Sequence, residues 1–276
     1  MNSGGQPTSD RSVIAKSAYA DDRYLQSRQR LYDFQTPTYD LPGIVLERLS
    51  DADPTVVLDV GCGNGRYTSR FRGQFPRAAV IAIDIAPGIL GAVGSPAVVA
   101  DAAHLPFAAA SAEVVLAMHM LYHVEDVEAG VRELARVLDP SGTAFVSTNA
   151  IEDKSELDDL WRRAASHVLG TPDPPERISL SRRFSLNAAP EMLGRYFGSV
   201  QVHELPGTIR VTSTGPVINH LASYESFANK TGIPFHDTVK AAESLLREHL
   251  DEYGEFTITC LGGILECKIP ATSGNH

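Results

Sequence analysis

The run Val56-Val57-Leu58-Asp59-Val60-Gly61-Cys62-Gly63-Asn64-Gly65-Arg66 constrains the fold more than any other part of this chain. A mostly apolar strand breaks into three alternating glycines, and a residue without a Cβ lets the backbone turn sharply and approach a ligand closely. The loop is not a dinucleotide fingerprint, because Arg66 stands where Gly-x-Gly-x-x-Gly needs its third glycine. Nor is it a P-loop, since no Gly-Lys-Ser/Thr follows. A nucleotide-like ligand that needs no phosphate cradle is the expectation.

The chain has 276 residues, enough for one α/β domain or a domain with an inserted lid. Its 24 Lys and Arg against 34 Asp and Glu give a formal charge of −10, and the basic residues are scattered, which disfavours nucleic acid or an anionic membrane as partner. Cys62, Cys260 and Cys267 form no CxxC pair, so a reducing cytoplasm is the expected compartment. The first residues lack the basic and apolar regions of a signal peptide, and no run approaches the roughly 20 apolar residues of a membrane span. Residues 1–10, rich in Ser, Gly and Asn, read as mobile.

Apolar runs alternate with amphipathic stretches from about residue 41 to 149, the rhythm of βα units around a parallel sheet. Strands are expected at 56–60, 80–83, 97–100, 114–118 and 142–148, with helices at 42–50, 65–71 and 127–137. Asp139-Pro140-Ser141-Gly142 reads as a turn into the fifth strand. After residue 149 a helix at 155–169 and the break Thr171-Pro172-Asp173-Pro174-Pro175 suggest a lid inserted over the sheet edge. Sheet resumes at 200–205, followed by helices near 215–229 and 235–252. A last strand at 256–269 is expected to kink or bulge at Gly262-Gly263. The organisation is therefore a mobile segment and cofactor-covering helix (1–40), a binding core (41–150), a lid (151–197) and the rest of the same sheet (198–276).

Acids close two of the strands. Asp84, followed by Ile85, can accept both hydroxyls of a ribose, and Asp101 can accept from an adenine amino group while the amide of Ala102 donates to a ring nitrogen. The fourth strand runs into Met118-His119-Met120-Leu121-Tyr122-His123, where open α/β sheets place their chemistry. His119 and His123 have the spacing of a helical metal pair, but Met120 occupies the place of a zinc-protease glutamate and no third ligand is near, so no metal is expected. One histidine facing the reaction site as a proton acceptor is the preferred reading, with a satisfied structural pair as its alternative.

Taken in order, the glycine loop, Asp84, Asp101, the His-Met-Leu-Tyr-His-Val segment and Arg-Val-Leu-Asp-Pro-Ser-Gly-Thr resemble the successive motifs of class I S-adenosylmethionine (SAM) dependent methyltransferases. The resemblance covers residues 55–149. It implies a Rossmann-like sheet of seven strands in the order 3-2-1-4-5-7-6, the last antiparallel, with helices on both faces. It also implies that Gly61, Gly63 and Asn64 line the methionine part of SAM, with Cys62 a small residue fitting the same cofactor loop, that Asp59 holds the loop, and that Met118 offers its carbonyl to the ammonium group. More narrowly, Met-Leu-Tyr-His-Val followed by Ser-Thr-Asn resembles an actinomycete-type branch acting on small natural products. Residues 19–32 resemble the helix that covers SAM there, with Tyr19 and Arg28 reaching its carboxylate. Such a helix can also pack on a second copy, as a homo-oligomer with helix exchange.

The expected activity is methyl transfer to carbon, nitrogen or oxygen of a small, largely apolar natural product, with His123 or His119 as base and Tyr122, Trp161, Phe184 and Tyr196 lining the substrate. Rival readings are C-methylation of an alkene or prenyl group through a cation, and a SAM-binding regulator without catalysis.

Overall fold

The computed structural model describes residues 7–228 and 232–270; the expectation for residues 1–6 lies outside them. Eight strands form one mixed sheet: β1 (Gln35–Thr36), β2 (Val56–Val60), β3 (Ala79–Asp84), β4 (Ala97–Val99), β5 (Ala112–Met118), β6 (Leu138–Asn149), β7 (Ser199–Val211) and β8 (Phe256–Lys268). Their order is β1-β7-β8-β6-β5-β2-β3-β4. Apart from the two-residue edge strand β1, this is the expected sheet of seven, and β8 is antiparallel to both neighbours.

Helices that position the site are α1 (Arg23–Arg30), α2 (Leu41–Glu47), α3 (Arg66–Gln74), α4 (Val127–Val137), α5 (Ser155–Leu169), α6 (Gly215–Ala222) and α7 (Phe235–Tyr253). The central strands are mostly apolar because both faces are covered. Leu58, Val60, Val115, Ala117, Ala144 and Val146 join the core on one face, whereas Val57, Val114, Leu116 and Phe145 face α2 and α3 on the other. That alternation follows from the strand period of two.

Two local expectations are corrected. Gly262 and Gly263 pair with Asn149 and Thr148 in unbroken register, without a bulge. They are glycines because space is short: a Cβ on Gly263 would meet Leu186 Cδ1 at 2.6 Å, and one on Gly262 would meet Asn149 Oδ1 at 3.0 Å. The irregularity lies instead at the start of β6, where the register shifts between Ala112 and Val114. There Asp139 turns the chain by accepting the Ser141 N–H at 2.8 Å.

The 151–197 segment, expected as a lid, divides: Asp153, Lys154, Arg177, Ser179, Leu180 and Ser181 border the cavity at the carboxyl ends of the strands, whereas its long helix belongs to the core. Helix α5 packs against α7, and Trp161 is buried beneath it at 1 % exposure, its Nε1 donating to the Pro175 carbonyl at 3.3 Å. The proline-rich break thus seals a core instead of opening a cavity. Trp161→Ala is expected to cost about 3–5 kcal/mol of stability, the range for deleting a buried large aromatic, read as a lower urea midpoint. A loss below about 1 kcal/mol would show that the indole packs loosely.

Candidate active site

A cavity of about 360 Å³ opens at the carboxyl ends of β2, β3 and β5, the position at which parallel sheets bind ligands. Its floor is the glycine loop. Gly61 and Gly63 have φ of +66° and +54°. A Cβ on Gly61 would meet Met120 Cβ at 2.7 Å, and one on Gly63 would meet Leu25 Cδ2 at 3.0 Å. The loop is fastened to the next strand: Cys62 N–H donates to the Ile83 carbonyl at 2.9 Å, and Gly63 N–H to Asp84 Oδ2 at 3.0 Å. Asp84 Oδ1 accepts from Ala86 N–H, also at 3.0 Å. Burial raises the Asp84 pKa, and these N–H donors work against the shift.

Asp59 does not face this ligand space with a free carboxylate. It is 1 % exposed and accepts the Thr68 hydroxyl at 2.5 Å, which ties β2 to α3. Burial pushes its pKa up to about 6.

All twelve residues expected to hold the cofactor line the cavity: Asp59, Gly61, Cys62, Gly63, Asn64, Asp84, Ile85, Asp101, Ala102, Met118, Tyr19 and Arg28. The structure adds partners that sequence reading missed. Asp101 is ion-paired with Arg11, and Asn64 Nδ2 donates to Gln29 Oε1 at 3.1 Å, so α1 packs on the glycine loop of its own chain. Arg28 is held between the rings of Tyr19 and Tyr224, 5.2 and 5.6 Å from their centroids. Its Nη1 donates to the Ser223 carbonyl at 2.9 Å, while Nη2 is buried without a partner. A diol-accepting carboxylate, close-approach glycines and a spare guanidinium donor fit the ribose and amino-acid parts of SAM.

His119, Tyr122 and His123 also line the cavity. His119 has a φ of +54° and lies outside any helix, and the turn Leu121–His123 is a short 3-10 helix, so the two rings are not a helical pair. Among the described residues no group of three or more His, Cys, Asp or Glu is placed to hold a metal. His123 is fixed at both nitrogens: Nδ1–H donates to the Thr8 carbonyl at 2.8 Å, which leaves Nε2 to accept the Tyr19 hydroxyl at 2.7 Å. Burial lowers both histidines to a pKa of about 4.

The expected substrate lining is mostly overturned. Of the four residues named, only Tyr122 reaches the cavity. Trp161 and Phe184 are core residues at 1 % exposure each, and Tyr196 donates to Glu128 Oε1 at 3.0 Å on the outside of the molecule. Aromatic content alone does not separate a core from a cavity wall. The far wall is instead polar, with Tyr32, Asn149, Asp153, Lys154, Arg177 and His220.

Comparison with known proteins agrees with this geometry. Residues 58–146 match the family model described as "Methyltransferase domain". A malonyl-[acyl-carrier protein] O-methyltransferase of Hahella chejuensis is 32% identical over 165 residues, 56% of this chain and 58% of that protein. The chain thus spans a little over half the length of this curated relative. The Haemonchus contortus phosphoethanolamine N-methyltransferase 2 in complex with S-adenosyl-L-methionine shares the fold over 94% of this chain and 60% of that one, with a TM-score of 0.55 at 15% identity. The [4+2]-cyclase SpnF does so over 83% and 80%, with a TM-score of 0.51 at 17% identity. Residues 58–146 thus carry a methyltransferase domain, and SAM is the cofactor that such a domain holds.

Two measurements test the cofactor wall. Asp84→Asn is expected to weaken SAM binding by about 1–3 kcal/mol, the cost of lost hydrogen bonds to a charged acceptor; unchanged affinity by calorimetry in a folded variant removes Asp84 from the site. Asp59 makes a prediction about pH. Its folded pKa of about 6 lies above the ordinary 3.8, so the folded protein keeps a proton that the unfolded chain has released. Its contribution to stability therefore falls as pH rises from about 4 to 6. Relative to the native protein, Asp59→Asn should gain up to about 3 kcal/mol across that window, measured by urea unfolding at several pH values. A difference that stays flat with pH would show that Asp59 titrates normally.

Proposed function

We propose that this protein is a SAM-dependent methyltransferase that methylates an oxygen or nitrogen of a small-molecule acceptor. The observation that carries the reading is the hydrogen-bonded chain Tyr19–His123–Thr8 at the wall of the cofactor cavity. SAM supplies an electrophilic methyl group on a sulfonium, so the protein's task is to align the acceptor, exclude water and remove one proton. An acceptor O–H or N–H lying against Tyr19 Oη gives its proton to that oxygen while the phenol proton moves to His123 Nε2. The ring then carries both protons, with Nδ1–H still on the Thr8 carbonyl. Because burial keeps the His123 pKa near 4, that proton is released readily before the next turnover. His119, lacking such a chain, is the lesser candidate.

Further roles belong to the same reading. Asp84 takes the ribose, Asp101 and Ala102 the adenine, and the spare Nη2 of Arg28 the SAM carboxylate. Met118 offers its carbonyl to the ammonium group. The resemblance to the actinomycete-type branch supports a secondary-metabolite acceptor, and the names of curated relatives such as the Hahella enzyme support oxygen as the accepting atom. The cavity wall mixes polar groups such as Tyr32 and Lys154 with apolar ones such as Leu41, Leu180, Leu205 and Ile264, which suits an acceptor with both an apolar body and a polar group. Three free, buried cysteines suit a reducing cytoplasm.

Tyr19→Phe should lower kcat by about 10²–10⁴, the usual contribution of positioned acid–base groups; because Tyr19 Oη is engaged by His123, and is not free for the SAM carboxylate as the sequence led one to expect, SAM affinity should stay close to native. In the native enzyme, protonation of His123 removes the proton acceptor, so turnover should fall as pH drops through about 4 and show no inflection at the ordinary histidine value of 6.5. Full activity of Tyr19→Phe, or a product bearing a new C–CH₃ bond by NMR, would rule out the relay.

A further inference from the structure

The far end of the cavity lies between two insertions. The chain after β6 brings Asp153 and Lys154, and α6, inserted between β7 and β8, brings His220. His220 is 3 % exposed, yet neither ring nitrogen reaches a hydrogen-bond partner. The Arg28 carbonyl lies near enough to influence the ring without closing a bond. Burying such groups unpaired costs roughly 1–3 kcal/mol, and in native proteins orphans of this kind call for a partner.

Tyr32 stands in the same wall. Its hydroxyl oxygen receives Lys154 Nζ at 2.6 Å and Asn149 Nδ2 at 3.4 Å, so the phenol proton is left to point at something else. Lys154 also pairs with Asp153, and an ammonium has three donors, of which these contacts use two. The backbone holds the arrangement against strain. Lys154 has a φ of +64°, a conformation that costs a side-chain-bearing residue roughly 1–3 kcal/mol. It is fixed by its N–H on the Thr259 carbonyl at 2.9 Å and by the Leu261 N–H on Asp153 Oδ1 at 3.0 Å.

Protonation states agree with the geometry. Burial pushes Tyr32 up to about 12, with Lys154 opposing. Burial opposes the charge of Lys154, but Asp153 and Tyr32 hold it protonated above the usual lysine value. Burial, then Lys154, Arg177 and Arg28, hold the His220 pKa well below the usual histidine value. The pocket therefore presents a phenol proton, an ammonium proton and an imidazole N–H, with Lys154 paired to Asp153 and Arg177 to Asp158. What fits is a group with several lone pairs and a negative charge.

We propose that Tyr32, Lys154 and His220 form a subsite that binds a carboxylate group of the acceptor substrate. It is distinct from the place assigned to the SAM carboxylate at Arg28, and it rests on the methyltransferase reading only in naming its ligand the acceptor.

The test is calorimetric titration of the full chain with benzoate, cinnamate and octanoate against benzamide, cinnamamide and octanamide, with and without S-adenosylhomocysteine. At least one carboxylate should bind 10-fold or more tightly than its amide. Tyr32→Phe and His220→Phe should each weaken it at least 5-fold, His220→Asn should restore part of the loss, and S-adenosylhomocysteine affinity should not change. Equal binding of acids and amides, no binding of any acid at 10 mM, or variants that bind the acid as the native protein does would overturn the subsite. So would variants that lose S-adenosylhomocysteine in step with the acid, since His220 and Tyr32 would then belong to the cofactor. Failure of the native protein to bind S-adenosylhomocysteine would instead overturn the proposed function, and the acid–amide comparison without it still decides the subsite.

Discussion

The hydrogen bond from Gly63 N–H to Asp84 Oδ2 is the contact on which the cofactor half of the site depends. It joins the loop after β2 to the end of β3, and it exists only because the parallel register sets Val60 beside Ile83 and because Gly63 accepts a φ of +54°. A side chain there would meet α1 through Leu25. The same carboxylate also takes the Ala86 N–H, so its orientation is set by backbone before any ligand arrives. Preorganisation of this kind lowers the ordering cost of binding.

The N-terminal segment completes the cavity from the opposite side, anchored by Ile14, Ala18 and Leu31 in the core and by discrete polar contacts. Arg11 pairs with Asp101, the Thr8 carbonyl takes His123 Nδ1–H, and Gln29 takes the Asn64 amide. Net contributions of about 0.5–1.5 kcal/mol are typical for neutral hydrogen bonds of this sort.

The sheet and the residues that line the glycine-loop end of the cavity were legible because their signals are local. A strand that is buried on both faces reads as an unbroken apolar run, a glycine loop reads as glycines, and an acid at a strand end stands where the register puts it. Signals that depend on which surface a side chain meets were not legible. Trp161 and Phe184 look the same in sequence whether they line a cavity or fill a core, and only the docking of α5 on α7 decides. Gly262-Gly263 resembled a bulge because close approach by Leu186 and Asn149 demands the same residue as an irregular backbone. The far wall was invisible for a third reason. Tyr32, Lys154 and His220 come from three separate segments, and a buried lysine in a left-handed backbone has no sequence signature.

The two ends of the cavity differ in charge, and the difference bears on how ligands enter it. Asp59, Asp84 and Asp101 lie at the cofactor end, and burial raises the pKa of the first two. Keeping those groups ionised is unfavourable until positive charge comes near. Lys154 and Arg177 lie toward the other end, where burial first and then these cations keep the His220 pKa low. A cationic ligand therefore relieves the first end, and the spare donors of Tyr32, Lys154 and His220 suit an anionic group at the second. Because the walls are of low dielectric, these effects act more strongly than they would at the surface. Placing each ligand in the wrong half would set like charges together without water between them, and that repulsion orients both partners before any contact specific to their shapes is made.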